Sequence, residues 1–137
     1  MNPPLLSTIT LAAELFIFSA ILYIFYKGYE GRVFPFSLAY FAIVYEVVFN
    51  IGYMIYRSVG LKSADNLSTN LKILGAVHGI LSLVVFVALV ILMLLAIKNY
   101  KRGINYFREH SKLSFLVIGF WIISLASGFL LYFKAYF

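Results

Sequence analysis

Four long apolar stretches constrain the fold of this chain more strongly than any other feature of its sequence. They run from about Ile9 to Tyr26, from Phe36 to Tyr56, from Ile73 to Ile97 and from Leu113 to Phe133. A helix of about 20 apolar residues crosses the hydrocarbon core of a bilayer. Backbone polar groups in lipid must be hydrogen-bonded, and the alternation typical of a barrel strand is missing. Each stretch therefore predicts a transmembrane helix.

The composition excludes several classes of protein. The 137-residue chain is 64% hydrophobic and only 12% charged, whereas a soluble domain averages roughly a quarter charged residues. It is therefore not a soluble enzyme, a disordered tail or a free nucleic-acid-binding protein. Cysteine is absent, which excludes disulfides, a cysteine nucleophile and thiolate metal sites. Nucleotide-binding, catalytic-triad and zinc-protease motifs are also missing, so we predict a single membrane domain over residues 1–137 that is not an enzyme.

Lys and Arg are unequally distributed between the predicted loops. Seven of the eleven lie in the first and third loops, namely Lys27, Arg32, Lys98, Lys101, Arg102, Arg108 and Lys112. The positive-inside rule then predicts that these loops lie in the cytoplasm and that both termini lie outside. We expect an all-α, antiparallel four-helix bundle in the cytoplasmic membrane of a prokaryote. Because no Lys or Arg precedes the first stretch, we expect that stretch to be retained rather than cleaved as a signal peptide.

Polar side chains gather in the predicted outer half of the membrane. We name five of them the outer-leaflet cluster: Glu14, Glu46, Asn50, Tyr53 and His78. Glu46 is predicted near mid-membrane, and Asn50 and Tyr53 follow it on the same helix face. A carboxyl group in hydrocarbon is costly unless it is neutralised or paired, so it faces the bundle interior or another protein. The cluster is a candidate site for a metal, a haem edge or a proton. His78 and Glu46 are its candidate cofactor ligands, and His78 and Glu14 its candidate metal ligands.

Two other interpretations of the outer-leaflet cluster stay open. Intramembrane Glu, Asn and His side chains also hold helices together, at about 1 kcal/mol for each hydrogen bond. The cluster also suits contact with a partner subunit. Gly75 and Gly79 flank His78 on one face, a pattern that favours close helix packing and also leaves room for a flat group beside the imidazole. Ser127 and Gly128 are expected in the same outer half, on the fourth helix.

The predicted cytoplasmic loop over residues 98–112 is basic and aromatic. Tyr106 and Phe107 stand among its Lys and Arg residues, including Arg108. Beside two membrane spans, this pattern is typical of contact with anionic lipid headgroups through interfacial aromatic anchors, rather than with nucleic acid. His110 in this loop is expected to be solvated or interfacial. From His78 to Ile97 the helix is about 29 Å long, so His78 and His110 of one chain cannot ligate the same haem iron.

A series of short motifs follows in order over roughly residues 72–134. They are Val77–Leu81, Tyr100–Gly103, Phe107–Leu113, Gly119–Trp121, Ser127–Gly128 and Leu130–Tyr132. Together they resemble the membrane family filed as domain of unknown function 420. That family has four transmembrane helices and includes an assembly factor for haem–copper cytochrome oxidase.

The resemblance implies that the chain works with a respiratory haem–copper oxidase, whose subunits would be its partners. His78 and His110 fall on the family's two C-terminal histidine positions, and would be the residues that handle haem or copper. Two further family histidines are missing here, and Arg57 stands where one of them would end the second helix. The resemblance therefore implies an assembly factor or an accessory subunit. The alternative is a small b-type cytochrome in which His78 ligates haem, with a second His78 supplied by a homo-oligomer.

Overall fold

Helices are the only regular secondary structure in the residues that the computed structural model describes, which are 5–31, 33–60 and 68–137, without the side chains of 57–60. The helices are α1 (Leu5–Glu30), α2 (Phe36–Gly60), α3 (Thr69–Tyr100), α4 (Tyr106–Glu109) and α5 (Ser111–Tyr136). Four of them, all but α4, are long and apolar enough to cross a membrane. The predicted all-α class with four long apolar helices is confirmed, and identifies a multi-pass membrane protein.

The long helices extend past the apolar stretches that predicted them. Helix α1 continues beyond Tyr26 to Glu30, so Gly28 lies inside the helix. The helix ends at Gly31, whose φ of 73° is in the left-handed region that glycine adopts without strain. Hydropathy marks the part of a helix that suits hydrocarbon, whereas its end is set by where the backbone hydrogen-bond pattern stops.

Helices α3 and α5 begin in different ways. Ser68 caps α3 by accepting a hydrogen bond from the backbone N–H of Leu71 at 3.4 Å. Ser111 is the first residue of α5, and His110 occupies the cap without a side-chain bond. The reason is the preceding α4, which positions the carbonyl of His110 to accept from the backbone N–H and hydroxyl of Ser114.

The core of the bundle is formed by one face from each of several helices. Ile17, Ile21 and Ile24 repeat at helical spacing on α1 and are buried against α3 and α5 residues such as Leu89 and Trp121. Many large apolar side chains point outward instead, for example Val44, Ile80, Val84, Leu116 and Phe133. An exposed apolar surface of this kind suits lipid contact, because water would disfavour it.

Side chains of α1 and α5 meet at three levels. The hydroxyls of Thr8 and Tyr132 are 2.8 Å apart. Further along, the rings of Phe18 and Trp121 stack with their centroids 5.4 Å apart. Finally, the rings of Phe25 and Phe115 meet at 5.3 Å. Residues with increasing numbers on α1 thus contact residues with decreasing numbers on α5.

Phe107 forms an aromatic hub at the end of the bundle that holds α4. Its side chain is fully buried, and its ring lies 5.1 Å from that of Phe25 and 5.8 Å from that of Tyr100. The prediction that Tyr106 and Phe107 are interfacial anchors is wrong, since both are buried. The physical reason is Gly28, whose missing side chain leaves the space that the Phe107 ring occupies.

Candidate functional site

Glu46 is the most deeply buried acid of the outer-leaflet cluster. It lies on α2 and its side chain is 4% exposed. Asn50, one turn later on the same helix face, donates from Nδ2 to Oε2 of Glu46 at 2.6 Å and to the Glu46 backbone carbonyl at 2.8 Å. Glu46 and Asn50, which were predicted to share a helix face, are therefore joined by a direct hydrogen bond.

The second carboxyl oxygen of Glu46 has a different environment. Oε1 is buried and has no hydrogen-bond partner among the described residues. The side chain lines a cavity of about 10 Å³ between α1, α2 and α3, with Ile21 and Ala42 on one side and Leu89 and Met93 on the other. A cavity of this size holds about one water molecule. Glu46 thus presents one satisfied and one unsatisfied oxygen.

Glu14 and Tyr45 complete the acidic part of the site. Glu14 on α1 interacts electrostatically with Glu46, and Tyr45 on α2 interacts with both acids. The hydroxyl of Tyr45 is buried without a hydrogen-bond partner, and its ring stacks on Phe49 with centroids 4.3 Å apart. Within the described residues, neither acid forms an ion pair with Lys, Arg or His. The structure therefore groups two acids and a phenol without a neutralising cation among these residues.

His78 makes its contacts with α5. The Nδ1 atom of His78 lies 2.7 Å from Oγ of Ser127, and Ser127 donates its hydroxyl hydrogen to the backbone carbonyl of Ser124 at 2.7 Å. Ser127 therefore accepts from Nδ1–H of His78, which is the tautomer that this bond selects. A Cβ atom on Gly128 would lie 3.1 Å from Cε1 of His78, so the imidazole packs on the backbone of this glycine.

The contacts place Glu46 and His78, two residues of the outer-leaflet cluster, at different depths. Glu14 lies between Thr8 and Phe18 on α1, whose α5 partners, Tyr132 and Trp121, lie on either side of Ser127 along α5. Glu14 is therefore close in height to the pair of His78 and Ser127. Glu46 faces Leu89, eleven residues beyond His78 on α3, or about 16 Å along the helix. Glu46 and His78 thus belong to separate sites.

The remaining candidates lie in other surroundings. Tyr53 is half-buried and stacks on Tyr56, with ring centroids 6.3 Å apart, and does not extend the bond between Glu46 and Asn50. The side chain of Arg57, like the whole of Arg32, lies outside the part of the chain that is described. Gly75 and Gly79 have no atoms of the described chain within 4 Å of an added Cβ, so the predicted close packing is not made here.

Arg108 and His110 lie in the α4 region at the opposite end from His78. Arg108 is positioned over the Tyr29 ring, 5.3 Å from its centroid. The exposed His110 ring stacks on Tyr106 at 4.5 Å. Tyr106 and Phe107 pack together near Tyr100, which is 22 residues, or about 33 Å along the helix, from His78. His78 and His110 therefore lie near opposite ends of the bundle.

Haem or copper does not fit the donor set of a single chain. Among the described residues no group of three or more His, Cys, Asp or Glu side chains could hold a metal ion. The two histidines are too far apart to ligate one iron, and Nδ1 of His78 is hydrogen-bonded to Ser127. A bis-histidine haem site at His78 would therefore need its second histidine from another chain.

Sequence reasoning missed three parts of this arrangement. It did not include Tyr45, it did not pair Ser127 with His78, and it did not foresee the cavity beside Glu46. Tyr45 is adjacent to Glu46 in sequence, which was the available signal for the first. Nothing local marks the other two, because they depend on which faces α3, α5 and α1 turn to one another.

Comparison with protein-family models, curated proteins and solved structures finds no match to this chain.

Proposed function

We propose that this multi-pass membrane protein is a small, non-catalytic partner of a respiratory haem–copper oxidase in the cytoplasmic membrane of a prokaryote. In this proposal it is an accessory subunit or an assembly factor, and the oxidase supplies the haem and copper. The main observation that supports the proposal is the contact of His78 with Ser127 and Gly128. These residues belong to separate motifs of the family resemblance, and in the structure they form one unit across α3 and α5.

The proposed topology is an antiparallel bundle with both termini outside. The opposite numbering of the α1 and α5 contacts, from Thr8 with Tyr132 to Phe25 with Phe115, supports it. The positively charged end supports the proposed orientation, because α4 holds Arg108 close to Tyr29 at the end of α1. Lys101, from the end of α3, donates to the Tyr40 hydroxyl at the start of α2 and so belongs to the same end.

The donor set favours a role beside the oxidase over a role as an independent haem protein. One chain does not bring two histidines together, so it does not form an axial pair for haem. The extensive outward apolar surface of the four long helices provides the area on which larger membrane subunits would pack. An accessory subunit would use this surface permanently, and an assembly factor transiently.

Deletion of the gene in its native host tests the proposal. We expect reduced oxidase activity with reduced haem or copper in the oxidase. Persistence of oxidase polypeptides that lack cofactor identifies an assembly factor, whereas stoichiometric co-purification with the oxidase identifies an accessory subunit. Unchanged oxidase activity and content after deletion would show that the proposal is wrong.

Complementation with two serine variants tests this main observation. Ser127→Ala removes the acceptor for His78 and is expected to reduce oxidase recovery. Ser82→Ala is the matched control, because Ser82 bonds only to the Gly79 carbonyl of its own helix. A visible spectrum of the purified protein tests the alternative function. A haem band that disappears in His78→Ala would favour a b-type cytochrome over a partner of the oxidase.

A further inference from the structure

Glu46 has an unsatisfied oxygen that the proposed oxidase partnership does not use. The side chain is almost completely buried, and Oε1 has no hydrogen-bond partner. A buried polar atom without a partner is costly, so in a native protein such an atom is usually satisfied by a bound water, an ion or a proton. The adjacent cavity of about 10 Å³ provides the space for one small ligand.

The hydrogen bonds from Asn50 assign different roles to the two oxygens. Nδ2 of Asn50 donates to Oε2 of Glu46 at 2.6 Å, so Oε2 is an acceptor. If Oε1 were also a bare acceptor, it would hold part of a negative charge in an apolar enclosure without a donor. As a neutral hydroxyl, Oε1 leaves no charge in these apolar surroundings, so its burial costs far less than that of a carboxylate oxygen.

The walls of the cavity distinguish a proton from a metal cation. Apart from Glu46, the cavity is lined only by apolar side chains, namely Ile21, Ala42, Ile43, Leu89, Val90 and Met93. Hard cations require several oxygen ligands, whereas a proton requires a single oxygen. The cavity therefore suits a protonated carboxyl rather than a metal cation.

The groups that act on Glu46 from neighbouring elements favour the same conclusion. Glu14 on α1 interacts electrostatically with Glu46, and Tyr45 lies next to Glu46 on α2. The residues of α3 that line the cavity are Leu89, Val90 and Met93. Two negative charges repel strongly in a low-dielectric interior. No cation among the described residues pairs with either acid, and a proton on one of them would remove this repulsion.

We propose that Glu46 is a proton-binding site in the interior of the bundle. Oε1 carries the proton, while Oε2 accepts from Asn50. The O–H bond of the acid breaks when the proton leaves to water, and re-forms when it returns, so no other reactant is needed. The site does not depend on the identity of the protein's partner.

Infrared difference spectroscopy on the full chain in lipid vesicles tests this site. We expect a carboxylic-acid C=O band that moves in heavy water and disappears reversibly as the pH is raised. Glu46→Gln should remove the band, whereas Glu109→Gln, which changes an exposed acid of α4, should leave it unchanged. Retention of the full band in Glu46→Gln, or its loss in Glu14→Gln with retention in Glu46→Gln, would overturn the proposal.

A second variant keeps the test independent of how well Glu46→Gln folds. Asn50→Ala removes the donor to Oε2, so the C=O band of Glu46 is expected to shift to higher wavenumber without being lost. An unchanged band position in Asn50→Ala would contradict the assignment of Oε2 as the acceptor. Because oxidase activity is not measured in either experiment, failure of the oxidase proposal would leave these results unaffected.

Discussion

At the residue scale, close contacts within and between helices set the environment of a side chain in this bundle. Asn50 directs Nδ2 both to Oε2 of Glu46 and to the Glu46 backbone carbonyl, which holds the acid in the interior. Gly28 shows the same dependence for a residue without a side chain, because Phe107 occupies the adjoining space. Two substitutions test these local constraints.

Glu46→Gln is expected to fold and insert normally, whereas Glu46→Lys is not. Gln keeps an oxygen for Asn50, but Lys brings a charge that costs about 3 kcal/mol or more near the bilayer centre. Membrane-inserted yield measures the difference. Glu109→Lys, at an exposed position, is the control and should insert like the unaltered protein. Normal yield of Glu46→Lys would mean that Glu46 does not lie in the membrane interior.

Gly28→Ala is expected to destabilise the protein by about 1–3 kcal/mol through overpacking. The added Cβ would lie 2.6 Å from Cδ2 of Phe107 and 2.9 Å from the Tyr100 hydroxyl, and the Phe107 ring is enclosed by its neighbours. Gly52→Ala is the matched control, since nothing lies within 4 Å of its added Cβ. Unfolding in detergent measures both variants. Equal stabilities would contradict the close contact between α1 and Phe107.

At the scale of elements, the short helix α4 connects the ends of α1, α3 and α5. Asn105 caps it by accepting from the Arg108 backbone N–H at 3.2 Å, and its Oδ1 also accepts from the Tyr100 hydroxyl at 2.6 Å. Its Nδ2 donates to the Tyr29 carbonyl at 3.2 Å. One side chain thus links α4 to α3 and α1. The connection between α3 and α5 is therefore a packed element instead of the predicted loop.

Phe107→Ala should cost about 3–5 kcal/mol of stability, as expected for emptying a fully buried aromatic site. Phe120→Ala is the control, because Phe120 is on the outward face of α5. We expect only the first variant to become sensitive to proteolysis in the segment 101–110. If Phe120→Ala proved equally destabilising, the aromatic hub would not be the main support of α4.

At the scale of the whole molecule, orientation in the membrane follows from the distribution of charge over the two ends. The end that holds α4 includes exposed Lys101, Arg102 and Arg108. Anionic headgroups and the positive-inside rule favour this end in the cytoplasm. The proposed orientation is therefore a property of the assembled bundle and of its loops together.

Single-cysteine labelling tests the orientation, and the absence of cysteine from the sequence makes every introduced thiol unique. In intact cells, a membrane-impermeant thiol reagent is expected to label Lys134→Cys but not Arg102→Cys. Both positions are exposed, so both should be labelled after permeabilisation. Labelling of Arg102→Cys alone in intact cells would reverse the proposed topology.

The four membrane-spanning helices could be predicted from consecutive residues, because hydrocarbon thickness demands a certain length of apolar chain. Helical spacing likewise placed Glu46 and Asn50 on one face, since that relation lies within a single helix. The pairing of His78 with Ser127, the burial of Phe107 against Gly28 and the cavity beside Glu46 could not be predicted in this way. They depend on the rotation and relative height of separate helices. A helix that is apolar on all sides leaves both undefined until neighbouring side chains pack against it.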